Sequence, residues 1–257
     1  MKFIGIDLGW VSGPSGLCCL QWQHEQLQLL NLTRQQLLAE IFTWLDAWVE
    51  PTEAAMVAVD APTLIPNATG MRLCDRLTHQ YFGRYHAGCY PANLSRPFAS
   101  RTVEFGRCLE RRGFVHAPTI VPQQPGRYQI EVFPHPATIN LFGLQRIIKY
   151  KKGRLAERKA ELERLYQYIV DILPTKVPAL APTSLPVLSF PENTKALKAT
   201  EDQLDSLICA YVAAHWWYWG QERNTILGDS TNYIIVPMEW GKGNCPGGTR
   251  QEYRMTE

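Results

Sequence analysis

Two short apolar runs in this chain each end in an aspartate, and they constrain the fold more than any other feature. FIGID ends at Asp7, and MVAVD ends at Asp60. A carboxylate is costly where a strand runs into a core, so both acids need partners, and a divalent cation is the natural one. The two runs therefore predict buried strands whose ends hold a functional site.

The segments between the two aspartates predict a mixed sheet. Residues 2–8 read as a first strand, and LCCLQW and QLQLLN continue it, through short turns, as an antiparallel meander. Apolar residues at helical spacing predict a helix over about 34–49, and the strand AAMVAVDAP follows it. A right-handed crossover through that helix would set the fourth strand parallel to the first, with the two aspartates as neighbours.

The rest of the chain extends this α/β core as one domain over residues 1–240. Residues 62–127 carry many prolines and glycines and are interpreted as an arginine-rich insertion. The later elements are predicted as a strand RYQIEVF, a helix over about 152–173, a final helix over about 201–219 and an edge strand NYIIVP. Residues 241–257 read as a flexible C-terminal tail.

Composition favours a soluble protein of the cytoplasm. Seven cysteines without a CxxC pair do not read as a disulfide framework. The N-terminus lacks the uninterrupted apolar stretch of a signal peptide, and no run approaches the length of a membrane span. A net charge of +2 is too small to indicate a polyanion partner by itself, so any basic surface must be local. The sequence leaves the oligomeric state open.

Three further acids complete a candidate catalytic and metal-binding set. Asp202 and Asp205 lie three residues apart and share one side of the predicted final helix, and Glu131 ends the strand RYQIEVF. Together with Asp7 and Asp60, these carboxylates would repel one another in a low-dielectric cleft unless Mg²⁺ or Mn²⁺ bound between them. Two such ions about 4 Å apart would activate a water and stabilise the leaving oxygen of a phosphodiester.

Two of the five acids also have a second interpretation. Asp202 would fall in the first turn of the predicted helix, where an acid often serves only as a partner of the helix dipole. Glu131 would either bind the metal or orient a ligand of it. His135, four residues further on, is a candidate proton shuttle, although its neighbouring prolines equally indicate a rigid turn.

Basic residues in and after the insertion predict a nucleic-acid surface. Eight arginines and only three acids fall between residues 72 and 112, with tyrosines interleaved, a composition suited to gripping phosphates and stacking bases. A solvated surface with aromatic anchors is the alternative. The run RIIKYKKGR would also suit a phosphate backbone. The predicted contact residues are Arg72, Arg76, Arg84, Lys151 and Lys152.

Five segments together carry a family resemblance. FIGIDLG, VAVDAP and EDQLDSLICA follow the order of the ribonuclease H-like superfamily, and the last is similar to the acidic helix of RuvC-type resolvases, with Ser206 in place of alanine. With RLCDR and EVFPHP, the chain more closely resembles an uncharacterised family of predicted RNase H-like nucleases over nearly its whole length. The resemblance implies a ribonuclease H-like mixed sheet flanked by helices, and metal ligands at Asp7, Asp60, Asp202 and Asp205.

The leading hypothesis is therefore a divalent-metal-dependent nuclease that hydrolyses phosphodiester bonds of DNA or RNA. FIGIDLGWVSGPSG is also similar to the first phosphate-contacting hairpin of actin-like and sugar-kinase-type phosphotransferases, although no convincing second copy follows. A non-catalytic nucleic-acid-binding protein with the same fold is the third possibility. The absence of GxxxxGK[ST], GxSxG and GxGxxG patterns disfavours the enzyme classes that depend on them.

Overall fold

The computed structural model describes residues 1–238, which contain both strands and helices. The strands are β1 (Lys2–Asp7), β2 (Ser15–Gln23), β3 (Gln26–Gln35), β4 (Ala55–Val59), β5 (Val115–His116), β6 (Arg127–Glu131), β7 (Ala179–Leu180), β8 (Asn224–Asp229) and β9 (Asn232–Pro237). The α-helices are α1 (Leu38–Trp48), α2 (Leu73–Phe82), α3 (Ala99–Glu110), α4 (Pro134–Phe142), α5 (Leu155–Ile172) and α6 (Thr194–Trp219).

Seven of the strands form one mixed sheet in the order β5-β6-β4-β1-β2-β3-β7. β1, β2 and β3 are antiparallel, whereas β4 is parallel to β1, and β6 is parallel to β4. β8 and β9 form a separate hairpin, which touches the sheet through a bridge between Val132 and Ile235. The α/β class, the antiparallel meander and the parallel fourth strand are thus confirmed.

The two faces of β1 are covered by different helices, as strand alternation predicts. Phe3 belongs to the core that includes the apolar residues of α6, whereas Ile4 and Ile6 pack with Ile41 of α1 and Phe105 of α3. Each face therefore buries its own apolar layer. Asp7 follows the periodicity of Phe3 and so points to the α6 side of the sheet.

Two glycines let α6 lie directly on the sheet. A Cβ at Gly5 would stand 1.9 Å from the carbonyl oxygen of Ser206, and one at Gly16 would stand 1.8 Å from that of Asp202. The helix backbone therefore fills the space beside Gly5. Because Gly16 is the register partner of Asp7, the same close approach brings the acidic part of α6 over the end of β1.

The helix boundaries differ from the predicted ones where capping decides them. α6 begins at Thr194 rather than about 201, because the side chain of Asn193 accepts a hydrogen bond from the Ala196 amide at 2.8 Å and caps the helix. Asp202 therefore lies in the interior of α6, and the first-turn interpretation of this acid is wrong. α1 begins at Leu38 rather than 34, since β3 continues to Gln35.

The remaining comparisons concern the predicted edge strand, the insertion and the tail. NYIIVP is a strand, as expected, but it pairs with β8, which the sequence did not predict. Within the predicted insertion, Phe105, Leu109 and Phe114 are buried in the core beside α1, so this segment is part of the packing of the domain. The predicted tail at 241–257 lies outside the described residues. None of the helices in residues 1–238 is long and apolar enough to cross a membrane.

Candidate metal centre at the strand ends

The ends of β1 and β4 bring the first two predicted acids together. The register pairs Ile6 with Val59, and the Asp60 amide donates to the Ile6 carbonyl at 2.8 Å, so Asp7 and Asp60 leave adjacent strands at the same level. Their carboxyl groups are close enough for each to influence the pKa of the other.

α6 adds Asp205 and Asp202 to this edge. Asp205 is fully buried, and the Tyr150 hydroxyl donates to its Oδ1 at 2.6 Å. Lys151 Nζ lies 2.8 Å from Asp205 Oδ2 but outside hydrogen-bonding orientation, which leaves that buried oxygen without a donor. Asp205, Asp60 and Asp202 all act on the pKa of Asp7, so the four aspartates lie near one another, and a lysine from the segment before α5 reaches into the group.

Burial makes ionisation of Asp7 and Asp60 unfavourable even with Lys151 beside them. Burial raises the pKa of Asp60 to about 7, with Lys151 opposing the shift and Asp205 adding to it. Burial also raises the pKa of Asp7 well above its ordinary value, again against Lys151 and with support from Asp205 and Asp60. Because ionisation of both carboxyls is unfavourable here, an additional cation would be stabilised between them.

Lys151 is oriented towards the acids rather than towards an external phosphate. Burial alone would lower the pKa of its ammonium group, but Asp205, Asp7 and Asp60 raise that pKa well above its ordinary value. The side chain remains 31% exposed, so it enters the cluster from the protein surface. Lys151 was predicted to contact nucleic acid, and in the structure its ammonium group pairs with Asp205.

Asp202 is held by two cations of its own. Arg34 Nε lies 2.7 Å from Oδ2, and Lys198 Nζ lies 2.7 Å from Oδ1. Arg34 on β3 is the register partner of Gly16 on β2, which in turn pairs with Asp7 on β1. The three residues therefore lie in one row across the sheet. Both oxygens of Asp202 are therefore engaged, which sets this acid apart from the other three.

Glu131 points to the opposite face of the sheet. Its register partner is Val59, whose side chain packs with α1 and α3. Arg72 binds both oxygens of Glu131 at 2.7 Å and also pairs with Asp75 at 2.8 Å. Burial raises the pKa of Glu131 to about 7, and Arg72 opposes this shift. The structure thus pairs Glu131 with Arg72, although Glu131 and Asp60 line the same cleft and Asp60 adds to the raised pKa of Glu131.

The predicted nucleic-acid residues divide into buried and exposed ones. Arg72 is only 3% exposed and is neutralised by Glu131 and Asp75, so its predicted contact with nucleic acid is incompatible with this position. Three of the predicted residues are exposed: Arg76, Arg84 and Lys152.

Sequence reasoning missed the residues that partner the acids. Lys198 lies one helical turn before Asp202, and a prediction of α6 from Thr194 would have found this i,i+4 pair. Tyr150 precedes Lys151 in a basic run that resembled a surface segment. No nearby sequence pattern indicates that Tyr150 and Arg34 contact the acids, because both meet them only through the tertiary fold.

The donor chemistry of the cluster suits a hard divalent cation. Asp7, Asp60 and Asp205 supply carboxylate oxygens, the ligands that Mg²⁺ and Mn²⁺ prefer, and Asp205 Oδ2 is a buried oxygen without a hydrogen-bond donor. As the side chains stand, residues 1–238 hold no group of three His, Cys, Asp or Glu side chains spaced for a metal ion. A cation would require these carboxylates to close around it, with Lys151 giving way.

Most of the chain matches one known protein family. Residues 5–232 match the family described as Protein of unknown function (DUF429). The chain belongs to this family. The match to DUF429 covers all the acids described above, together with Lys151 and Tyr150. No curated protein matches the chain.

Proposed function

We propose that this DUF429 protein is a metal-dependent nuclease of the ribonuclease H-like type, which hydrolyses phosphodiester bonds of DNA or RNA. One observation carries the proposal. Asp7 and Asp60 end neighbouring strands, and α6 places Asp205 beside them. Burial raises the pKa of both Asp7 and Asp60, with Lys151 opposing the shift and Asp205 adding to it. Lys151 therefore does not fully offset the cost of ionising these buried carboxyls, and a divalent cation would supply the missing charge.

The sheet supports the ribonuclease H-like assignment. An antiparallel β1-β2-β3 meander continued by parallel β4 and β6 is the arrangement that the family resemblance implies. Residues 1–238 contain one such sheet and no second related domain, which the phosphotransferase alternative requires. The nuclease proposal therefore fits the described part of the chain better.

Asp7, Asp60 and Asp205 would hold the metal, Mg²⁺ or Mn²⁺. Bound there, the metal would supply Lewis acidity for activating a water and for stabilising the leaving oxygen. Asp202 and its two cations lie beside this set, where they fix the acidic part of α6 in place. Glu131 is not included among these ligands, because Arg72 already binds both of its oxygens.

The surrounding side chains prepare the carboxylates for this role. The Tyr150 hydroxyl orients Asp205 through a 2.6 Å hydrogen bond. Lys151 balances part of the negative charge when no other cation is present. Burial lowers the pKa of His135 to about 3, so this imidazole is neutral at pH 7 and too weakly basic for the proton shuttle that the sequence suggested.

The test is cleavage of single-stranded and duplex DNA and RNA with Mg²⁺ or Mn²⁺. We expect metal-dependent cleavage by the wild-type protein and a loss of about 100-fold or more in Asp7→Asn, comparable to removal of one electrostatic group from an active site. Asp171→Asn, the same change on an exposed part of α5, is the matched control and should retain full activity.

Two results would contradict the proposal. If Asp7→Asn cleaved as fast as the wild type, the activity would come from a contaminant or from another site. If clean wild-type protein bound nucleic acid with and without metal but cleaved none, the non-catalytic binding protein would be the better description. Tight binding of ATP in a calorimeter would favour the phosphotransferase instead.

A further inference from the structure

An aromatic chain connects the strand end at Asp60 to the surface. The Trp10 indole donates to the Asp60 carbonyl at 3.1 Å, and its ring lies 4.6 Å from that of Phe98. Phe98 in turn lies 6.2 Å from Tyr90, which is 57% exposed. A nucleotide bound against Tyr90 would therefore lie next to the acidic cluster.

Two arginines beside these rings have free hydrogen-bonding capacity. Arg96 lies over the Tyr90 ring at 5.0 Å and donates through a terminal nitrogen to the Tyr90 hydroxyl at 3.3 Å, while its buried Nε has no hydrogen-bond partner. Arg101 donates through Nε to the Gly9 carbonyl at 2.8 Å, while one of its terminal nitrogens, also buried, has no partner. Neither guanidinium forms an ion pair with a carboxylate anywhere in residues 1–238. Such groups bind phosphate well, because their charge is not already neutralised.

The surface around the rings is concave and combines apolar and charged side chains. Trp10 and Tyr90 line a cleft of about 40 Å³ together with Asp60, Asp75 and Glu131. The next residue, Val11, lines a shallow groove of about 750 Å³ together with Arg101. Val11 is 62% exposed, and Leu94 in the same groove is 54% exposed. Exposed apolar side chains beside unpaired cations suit a ligand that carries both flat apolar surfaces and phosphates.

We propose that Tyr90, Arg96 and Arg101 form a subsite for single-stranded nucleic acid, adjacent to the metal centre. The exposed ring of Tyr90 stacks an unpaired base, and the two guanidiniums bind the neighbouring phosphates. A duplex offers phosphates but no exposed base face, so the subsite selects unpaired nucleotides. This inference rests on the proposed nuclease function and names its substrate class.

The test measures binding in EDTA, so that cleavage plays no part. The probes are a fluorescein-labelled 12-mer of thymidine and a duplex of the same length, followed by anisotropy. We expect the wild type to prefer the single strand, and Tyr90→Ala to weaken its binding about 5-fold or more, the loss of one base stack. Tyr90→Phe, which keeps the stacking face, should bind like the wild type.

The arginines are tested through the salt dependence of binding. Arg96→Gln and Arg101→Gln should each reduce the slope of log K against log salt by about 0.7, the value for one lost phosphate contact on a single strand. Arg164→Gln is the matched control, since Arg164 lies over Tyr168 at 5.5 Å on α5, away from the strand ends. Its slope should equal that of the wild type.

The outcomes separate this inference from the nuclease proposal. The subsite is refuted if the wild type binds no single strand, if it prefers the duplex, or if Tyr90→Ala and both arginine variants bind like the wild type. Wild-type cleavage with unaffected binding in these variants refutes the subsite and leaves the nuclease standing. Altered binding in the variants without cleavage by the wild type supports the subsite and refutes the nuclease.

Discussion

Gly5→Ala should destabilise the protein by forcing α6 away from the sheet. The added Cβ would stand 1.9 Å from the Ser206 carbonyl oxygen, 2.4 Å from the Ala210 amide nitrogen and 2.9 Å from the Ala210 Cβ, whereas real Cβ atoms stay beyond 3.0 Å. Two of these atoms belong to the backbone and cannot rotate away. The helix must therefore move by about 1 Å, a distortion typical of overpacked cores that cost about 1–3 kcal/mol.

The loss is measurable by urea unfolding. With a slope of about 2–3 kcal/mol/M for a chain of this size, the midpoint should fall by about 0.5–1 M in Gly5→Ala. Gly13→Ala is the matched control, because its Cβ would meet nothing within 4 Å. Its free energy of unfolding should change by less than about 0.5 kcal/mol. An unchanged midpoint in Gly5→Ala would refute the close approach of α6 and, with it, the placement of Asp205.

Three further changes test the charges. Burial raises the pKa of Asp60 to about 7, so the folded protein keeps a proton that the unfolded chain loses near pH 4, and stability in EDTA should fall as pH rises from about 4 to about 7. Asp60→Asn should flatten that slope in urea unfolding, and an unchanged slope would contradict the assignment. Arg72→Met should cost about 3–5 kcal/mol of unfolding free energy, because it leaves two buried acids unpaired, against less than about 0.5 kcal/mol for the exposed Arg76→Met. An equal effect of these two variants would show that Arg72, Asp75 and Glu131 do not form a buried ion-pair group. Lys151→Met should raise the pKa of Asp60 further, as measured by carboxyl-carbon NMR, and a lower pKa would show that Lys151 does not face the cluster.

Much of the core was predictable because its signals are local. Strand alternation alone put Asp7 on one face and Ile4 and Ile6 on the other, and the helix between β3 and β4 implied the parallel pairing. These signals depend on residues within one or two elements, which a sequence displays directly.

The partners of the acids were not predictable, since they depend on distant segments. Arg72 and Glu131 are 59 residues apart, and Tyr150 and Asp205 are 55 apart. The face of Glu131 followed from its register with β4, which periodicity does not fix between strands. Lys151 looked like a surface residue because its run is basic, yet the buried carboxylates attract its ammonium group.

A crystal soaked in Mn²⁺ tests the central claim most directly. The nuclease proposal predicts an anomalous peak within about 2.5 Å of carboxylate oxygens of Asp7, Asp60 and Asp205, with Lys151 displaced from Asp205. The peak should be absent from crystals of Asp7→Asn. The claim would be contradicted if no concentration of Mn²⁺ gave a peak there and the three carboxylates stayed more than about 8 Å apart in every crystal, since no ion could bridge that span.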